Sequence, residues 1–373
     1  MRNSTFAILC LEGAVLSFNV AAASALIPSI ASDFALSQFS VGPIIWLYML
    51  PYGLAAFAYG PLVRTIDARR VELSCMFLFS SANLLAGLSN NLSVLFVARF
   101  MMGLFGASVI PLGLILIANH MPQEKRGRYI GIFFGLTFVA SLLGLFLSGI
   151  LHWRLIFIIP AALGFILWFL MLVLFPHFRE NLEDFRMSYL QAFKNKSVVR
   201  IFIYIFVISS IYHGLQQWLG VYFSTGLNLS QFVISMLITL TALSGIFGEF
   251  WGGRLADSVG RKKVVNLGIA LMVISIFSLL LKLPVAVLVL VMLIWGLGWT
   301  FNHVGLATML TDLPKELLNE AASLNSGVRF ISGGLGAALG GLLMRNSFNL
   351  GFIVLGSLLL SLLILGRQAV NEK

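Results

Sequence analysis

Glu12 and Arg99 are ionisable side chains set inside long apolar runs, and so are His213, His303 and Arg329. Holding such a group in hydrocarbon is costly, so each is a candidate for moving a proton or binding a charged ligand. Glu12 is the one acid well inside the first half of the chain. It lies about 12 Å from the start of its run at a rise of about 1.5 Å per residue. Arg99 lies a similar distance in from the opposite end of its own run, so in a core about 30 Å thick the two are close in depth. A carboxyl there could exchange protons when substrate or conformation alters the balance between desolvation and a nearby arginine. Glu12 is therefore the expected proton carrier and Arg99 its electrostatic partner. The plainer alternatives are a snorkelling carboxyl and an arginine bonded to backbone carbonyls.

The second half offers a different chemistry. Arg329 stands mid-run with Asn325 one turn earlier on the same face, where a guanidinium could bind an anionic substrate or pair with an acid. His213 and Gln217 share a face by their i, i+4 spacing, with Gln216 beside them. Asn302 and His303 follow Trp295 and Trp299. Histidine carries protons near neutral pH, and aromatics with a few polar groups suit a ligand pocket. The expected substrate-binding set is His213, Gln216, Gln217, Trp299, Asn302, His303, Asn325 and Arg329. A histidine that is merely hydrogen-bonded at a helix interface is the competing reading.

The elements that must position these residues are membrane-spanning helices. The 373 residues are 59% hydrophobic and 10% charged, against about 25% charged in soluble domains. Runs long enough to cross a bilayer fall near 5–28, 41–61, 71–88, 94–117, 129–150 and 154–175, then 199–225, 230–251, 264–282, 285–309, 321–344 and 348–366. In hydrocarbon every backbone polar group must be paired within the segment, so these are read as helices. The fold class is an all-α membrane protein of twelve spans in two bundles of six. The expected division is 1–176 for the first bundle, 177–198 for a linker and 199–373 for the second. Within the linker Phe178, Leu182, Phe185, Tyr189 and Phe193 recur at helical spacing among charges, which predicts an amphipathic surface helix. The N-terminal run could be confused with a cleaved signal, but it continues to Pro28 and is read as the first span.

The net charge of +10 is a topology signal rather than a nucleic-acid footprint. Of 24 Lys and Arg, 19 fall at the termini and in every second loop, which sets both termini in the cytoplasm, here of a bacterial inner membrane. Cys10 and Cys75 give no disulfide framework or metal spacing. Glycines crowd span 5 (Gly131, Gly135, Gly144, Gly149) and span 11 (Gly333, Gly334, Gly336, Gly340, Gly341), where small residues let helices approach closely.

The two halves repeat. Gly60-Pro-Leu-Val-Arg64-Thr-Ile-Asp67-Ala-Arg-Arg70 returns as Gly253-Arg-Leu-Ala-Asp257-Ser-Val-Gly260-Arg261-Lys-Lys263, an offset of 193. Met121-Pro122 returns as Leu313-Pro314 at an offset of 192. A half-length repeat in a membrane protein points to a two-bundle transporter. The loop 253–263, Arg99-Phe-Met-Met-Gly103-Leu-Phe-Gly106, Pro122-Gln-Glu-Lys-Arg126-Gly127 and Trp153-Arg154 together resemble the motifs of the major facilitator superfamily, over nearly the whole chain. The resemblance implies that Gly60, Arg64, Asp67, Glu249, Gly253, Asp257, Gly260 and Arg261 form a gate. There Gly253 and Gly260 would allow a tight turn, and Asp257 would receive Arg261 or a helix N-terminus, with Glu249 joining. The first loop departs from the family pattern, with Arg64 for the usual acid and Asp67 for the usual second glycine. Span 5 lacks the proline of the family's antiporters, since Leu145 follows Gly144.

The expected function is secondary transport by alternating access, as a proton-coupled exporter of a small amphipathic compound. Uptake of a small anion through Arg99 and Arg329 is the alternative, and a non-transporting sensor a more distant one. The five histidines are isolated, which excludes a His-Glu-x-x-His metalloprotease. There is no Gly-x-Ser-x-Gly elbow and no phosphate-cradling loop, so neither an enzyme nor an ATP-driven pump is expected. No cofactor or metal is called for, and the expected partners are substrate, protons and the bilayer around a monomer.

Overall fold

Each of the long apolar runs is helical in the computed structural model, which describes residues 3–63, 65–177, 194–311 and 318–369. No strand occurs among those residues. Arg64 and residues 178–193 lie outside them, and with residues 178–193 the expected amphipathic helix. The chain divides into two compact units, 1–186 and 187–373.

In the first unit α1 (Asn3–Ser17) and α2 (Ala23–Asp33) together make span 1. A short α3 (Gln38–Val41) leads through a tight turn into α4 (Trp46–Leu62), span 2, and α5 (Ala68–Gly87) is span 3. Span 4 is again in two pieces, α6 (Leu92–Gly106) and α7 (Val109–His120), followed by α8 (Gln123–Leu147) and α9 (Trp153–Leu174). The second unit holds α10 (Lys196–Gln216), a short α11 (Leu219–Val221) with a wide π-type turn at Tyr222–Gly226, and then α12 (Gln231–Val259). It closes with α13 (Arg261–Ser278), α14 (Val285–Thr311), α15 (Leu318–Met344) and α16 (Phe348–Ala369). Among the described residues nine helices are long and apolar enough to cross a membrane, and Ser4–Ser17 and Phe348–Ile364 are shorter apolar ones. α5 completes the twelve spans, with Arg69, Arg70 and Glu72 in its first turns.

Several helices outrun their apolar cores, as α12 does by reaching Val259, because helical hydrogen bonding continues where hydrocarbon stops. Span 1 breaks at residues 18–22, span 4 at 107–108 and span 7 at 217–218, which apolar length alone could not foretell.

The same spans pair in both units: span 1 with 5, 2 with 4, 3 with 4 and 3 with 6, matched by 7 with 11, 8 with 10, 9 with 10 and 9 with 12. Glycine sets the closest of these. A methyl at Gly103 would collide with the backbone carbonyl of Tyr48, and one at Gly296 with that of Thr241. One at Gly144 would collide with the carbonyl of Phe18, and one at Gly336 with that of Ser210. Backbones in van der Waals contact are what small residues permit where lipid gives no hydrophobic drive between helices. Not every glycine serves this way, since Gly131 and Gly135 have open space where a Cβ would stand.

Candidate functional site

Two polar clusters stand out, one inside each unit. In the first, Glu12 on α1 is fully buried, and so is Glu72 on α5. Neither carboxylate oxygen of either residue has a hydrogen-bond partner, and the two side chains are close enough to interact electrostatically. Tyr59 and Cys75 stand beside them: the Cys75 thiol donates to the Tyr59 hydroxyl at 3.4 Å, which donates to the carbonyl of Leu104 at 2.8 Å. Ser108, at the break in span 4, bears on Glu72 as well. Spans 1 to 4 meet here; spans 1, 2 and 4 contribute one of these groups each and span 3 contributes two.

Arg99 is elsewhere, and the expected Glu12–Arg99 pair is not formed. The Arg99 guanidinium is buried over the Tyr48 ring, 4.5 Å from its centroid, with Phe157 at 5.9 Å. Its Nε donates to the carbonyl of Ile44 at 2.8 Å. Similar depth along two helices did not make them neighbours, because α6 turns its arginine toward spans 2 and 6. The short turn Gly42–Ile44 supplies the carbonyl that the arginine satisfies. Glu72 was passed over because it follows Arg69 and Arg70 and so resembles a loop charge. The available signal was its phase: Glu72, Cys75 and Phe79 lie at i, i+3 and i+7, on the buried face of α5.

A third buried polar group marks the break in span 1. Asn19 donates through Nδ2 to the Asn83 side-chain oxygen at 2.6 Å, and Asn83 donates to the carbonyl of Phe79 at 2.9 Å. At one end of the same unit, Arg154 binds Asp33 at 3.1 Å and the carbonyl of Ser89 at 2.6 Å.

In the second unit most of the expected substrate residues do come together. Tyr212 lies between two indoles, stacked on Trp299 with centroids 3.9 Å apart and on Trp295 at 5.3 Å. His213 meets the Trp299 edge at 5.7 Å, and its Nδ1 lies 3.2 Å from Gln217 Nε2. His303 lies 6.4 Å from the Trp299 ring. Arg329 stands over the same indole at 5.8 Å, its Nε donating to Asn325 Oδ1 at 2.9 Å. The partners come from spans 7, 10 and 11. Tyr212 was missed, though it adjoins His213.

Two expected members are turned away. Gln216 accepts from Trp295 Nε1 at 2.7 Å and is buried, so it braces the aromatic stack. Asn302 is fully buried and donates to the carbonyl of Gly298 at 2.9 Å and to the Met272 sulfur at 3.5 Å. It lies one residue before His303, about 100° round α14, and faces α13 instead.

The gate residues are also redistributed. Gly60 and Gly253 lie inside α4 and α12, with open space around each, and neither makes a turn. Gly260 does, at φ 98° between α12 and α13, where a side chain would be strained. Asp257 is exposed on the last turn of α12. Glu249 lies 3.6 Å from His303 Nδ1 and so belongs with the aromatic cluster rather than with the loop. Asp67 caps α5 by accepting from the Arg69 backbone N–H at 2.9 Å. It also binds His177 Nδ1 at 2.6 Å, while His177 Nε2 lies 2.7 Å from Arg69 Nη1. An arginine can only donate, so His177 accepts at Nε2 and donates from Nδ1.

Comparison with known proteins fits these helices and motifs. The family model described as Major Facilitator Superfamily matches residues 9–337. The chain belongs to that superfamily. The riboflavin transporter RibZ of Clostridioides difficile (strain 630) is 23% identical over 83% of this chain and 81% of its own. A probable sugar efflux transporter of Helicobacter pylori (strain P12) is also 23% identical, over 86% and 83%. The crystal structure of a D-xylose-proton symporter superposes with a TM-score of 0.79 at 15% identity, over 99% of this chain and 98% of that one, and so shares the fold. As a major facilitator, the chain is a multi-pass membrane transporter of small molecules.

Proposed function

We propose that the chain is a proton-coupled exporter of a small amphipathic compound, working by alternating access as a monomer in a bacterial inner membrane with both termini in the cytoplasm. The observation that carries this reading is the pair of buried carboxyls, Glu12 and Glu72, with no ion-pair partner and no close hydrogen bond on their oxygens, Ser108 alone bearing on Glu72. Two carboxyls sequestered together cannot both hold a negative charge without several kcal/mol of cost. The pair therefore carries a proton while sequestered and releases it when water or a conformational change reaches it. Arg99 stiffens the first unit rather than tuning the proton. Export is favoured by the efflux relative and by the half-buried aromatic surface of the second unit, which suits an apolar body. The second reading, uptake of a small anion, draws on Arg329, whose Nη2 has no partner.

The test is proton movement in proteoliposomes under an imposed pH gradient, comparing wild type with Glu12→Gln and Glu72→Gln across a compound panel. Compound-triggered proton flux that each substitution abolishes supports coupling through the pair. Compound flux indifferent to gradient and substitution would make the protein a facilitator. The sign of the gradient that drives accumulation separates export from uptake.

A further inference from the structure

The cluster in the second unit has an unbalanced charge. Arg329 keeps its proton at any accessible pH, and its Nη2 is buried with no hydrogen-bond partner. No acid lies within ion-pair distance of it among the described residues, and Glu249 stands 3.6 Å from His303 Nδ1 instead. A guanidinium N–H left unpaired in a dry site costs more than an ordinary hydrogen bond contributes. His213 adds a second donor: Gln217 Nε2 donates to its Nδ1, so its remaining ring proton sits on Nε2. Beside these donors lies a ladder of three stacked rings, Trp295, Tyr212 and Trp299, whose outermost member is only half-buried.

Donors without an acceptor ask for an anion, and the ring ladder asks for a flat apolar body. Arg329 is the one permanent cation among these side chains, so a monoanion fits it better than a dianionic phosphate monoester does. We propose that the second unit binds an aromatic carboxylate, its carboxylate on Arg329 Nη2 and its ring against Trp299. The proposal rests on the reading of the chain as a transporter of a small amphipathic compound, and names that compound's class. Asn325 is a positioning residue: by holding Nε at 2.9 Å it fixes the plane of the guanidinium and leaves the Nη edge for the ligand. Trp299 does the work of selecting an aromatic ring over an alkyl chain of equal charge.

The test is equilibrium binding of radiolabelled 2-naphthoate to the purified full chain in detergent, with no gradient present. Unlabelled 2-naphthamide (same rings, no charge) and octanoate (same charge, no ring) serve as competitors. The expected result is saturable binding that each competitor displaces about tenfold less well than unlabelled 2-naphthoate, a difference of about 1.4 kcal/mol. Arg329→Gln should abolish it, and Trp299→Leu should weaken it about tenfold. Arg254→Gln, whose guanidinium lies over Phe250 at 4.0 Å on α12, should bind as wild type does. Equal displacement by 2-naphthamide, undiminished binding to Arg329→Gln, or no saturable binding to wild type would overturn the proposal. Should Arg329→Gln not fold, the competitor series on wild type decides alone. Because binding is read without protons or flux, 2-naphthoate bound by a protein that moves no protons would sink the coupling mechanism and leave this site standing.

Discussion

Gly103 meets the backbone of Tyr48 in the first unit, and Gly296 meets that of Thr241 in the second; both members of the pair are displaced by 193 residues. Gly144 against Phe18 returns as Gly336 against Ser210, both displaced by 192, and Gly106 against Phe79 returns as Gly298 against Met272. The ionisable groups do not repeat. Glu12 and Glu72 have Ile205 and Val265 at the 193 offset, and Arg329 has Thr137 at the 192 offset. The comparison teaches that the repeat preserves places where helices touch, because those fix the bundle, while charge was free to diverge. The first unit holds two unpaired acids as well as Arg99, whose Nη1 has no hydrogen-bond partner, whereas the second holds Arg329 among aromatic rings. On the proposed reading, the acids of the first unit carry the proton and the aromatic cluster of the second binds the substrate.

The strongest way to break the comparison is at the repeated contacts. Gly144→Val and Gly336→Val should each cost more than about 3 kcal/mol, since a backbone carbonyl cannot step aside as a side-chain end can. Monodisperse yield and thermal stability in detergent would check this, with Gly135→Ala unchanged as the control. If one variant is tolerated and the other is not, the two contacts are not equivalent and the repeat is only a sequence relic.

Next in size is the division of charge. Glu12→Gln or Glu72→Gln should abolish compound-driven proton movement while leaving 2-naphthoate binding within about twofold of wild type, a difference under about 0.5 kcal/mol. Neither should lower thermal stability by more than about 1 kcal/mol, because the carboxyl removed has no close hydrogen bond to lose and only Ser108 bears on Glu72. A larger fall in stability would reveal a partner for that carboxyl and weaken the division.

Smaller effects come from the loops, where the offset of 193 sets Asp67 against Gly260. Both residues cap the helix that follows, by different physics. Asp67 accepts from a backbone N–H, and Gly260 adopts a φ of 98° that a side chain resists. Asp67→Ala should cost about 1 kcal/mol, and Gly260→Ala about 1–2 kcal/mol. His177→Ala should cost under about 1 kcal/mol, its ring being mostly exposed. Denaturant or thermal midpoints of the three variants would rank them, and a His177→Ala loss larger than that of Asp67→Ala would mean that the imidazole, not the cap, holds this end of the first unit.

Much of the architecture was legible in the residues. Apolar length located all twelve spans, because a chain in hydrocarbon must pair its backbone within each segment. The 193-residue offset between Gly60 and Gly253 announced two units, and the charges in alternate loops separated a membrane protein from a nucleic-acid binder. Helical phase placed Asn325 with Arg329 and His213 with Gln217, since residues four apart share a face whatever surrounds them. It did not separate Asn302 from Trp299, which are three residues apart and neighbours on the helix surface, and packing turned Asn302 to Met272.

What the residues could not decide is which faces meet. Glu12 was matched with Arg99 on depth alone, but depth fixes one coordinate and leaves rotation about each helix open. Packing rotated Arg99 onto Tyr48 and the Ile44 carbonyl, and turned Glu72 inward to Glu12. Asp67 and His177 are 110 residues apart and meet only because spans 3 and 6 pack together. The breaks at 18–22, 107–108 and 217–218 shift the phase of the helix beyond them, so periodicity counted from one end fails past each break. Sequence fixed the helices and their local faces through backbone hydrogen bonding and side-chain period; tertiary packing chose the partners, because contacts between distant segments depend on the rotation, tilt and interruption of whole helices at once.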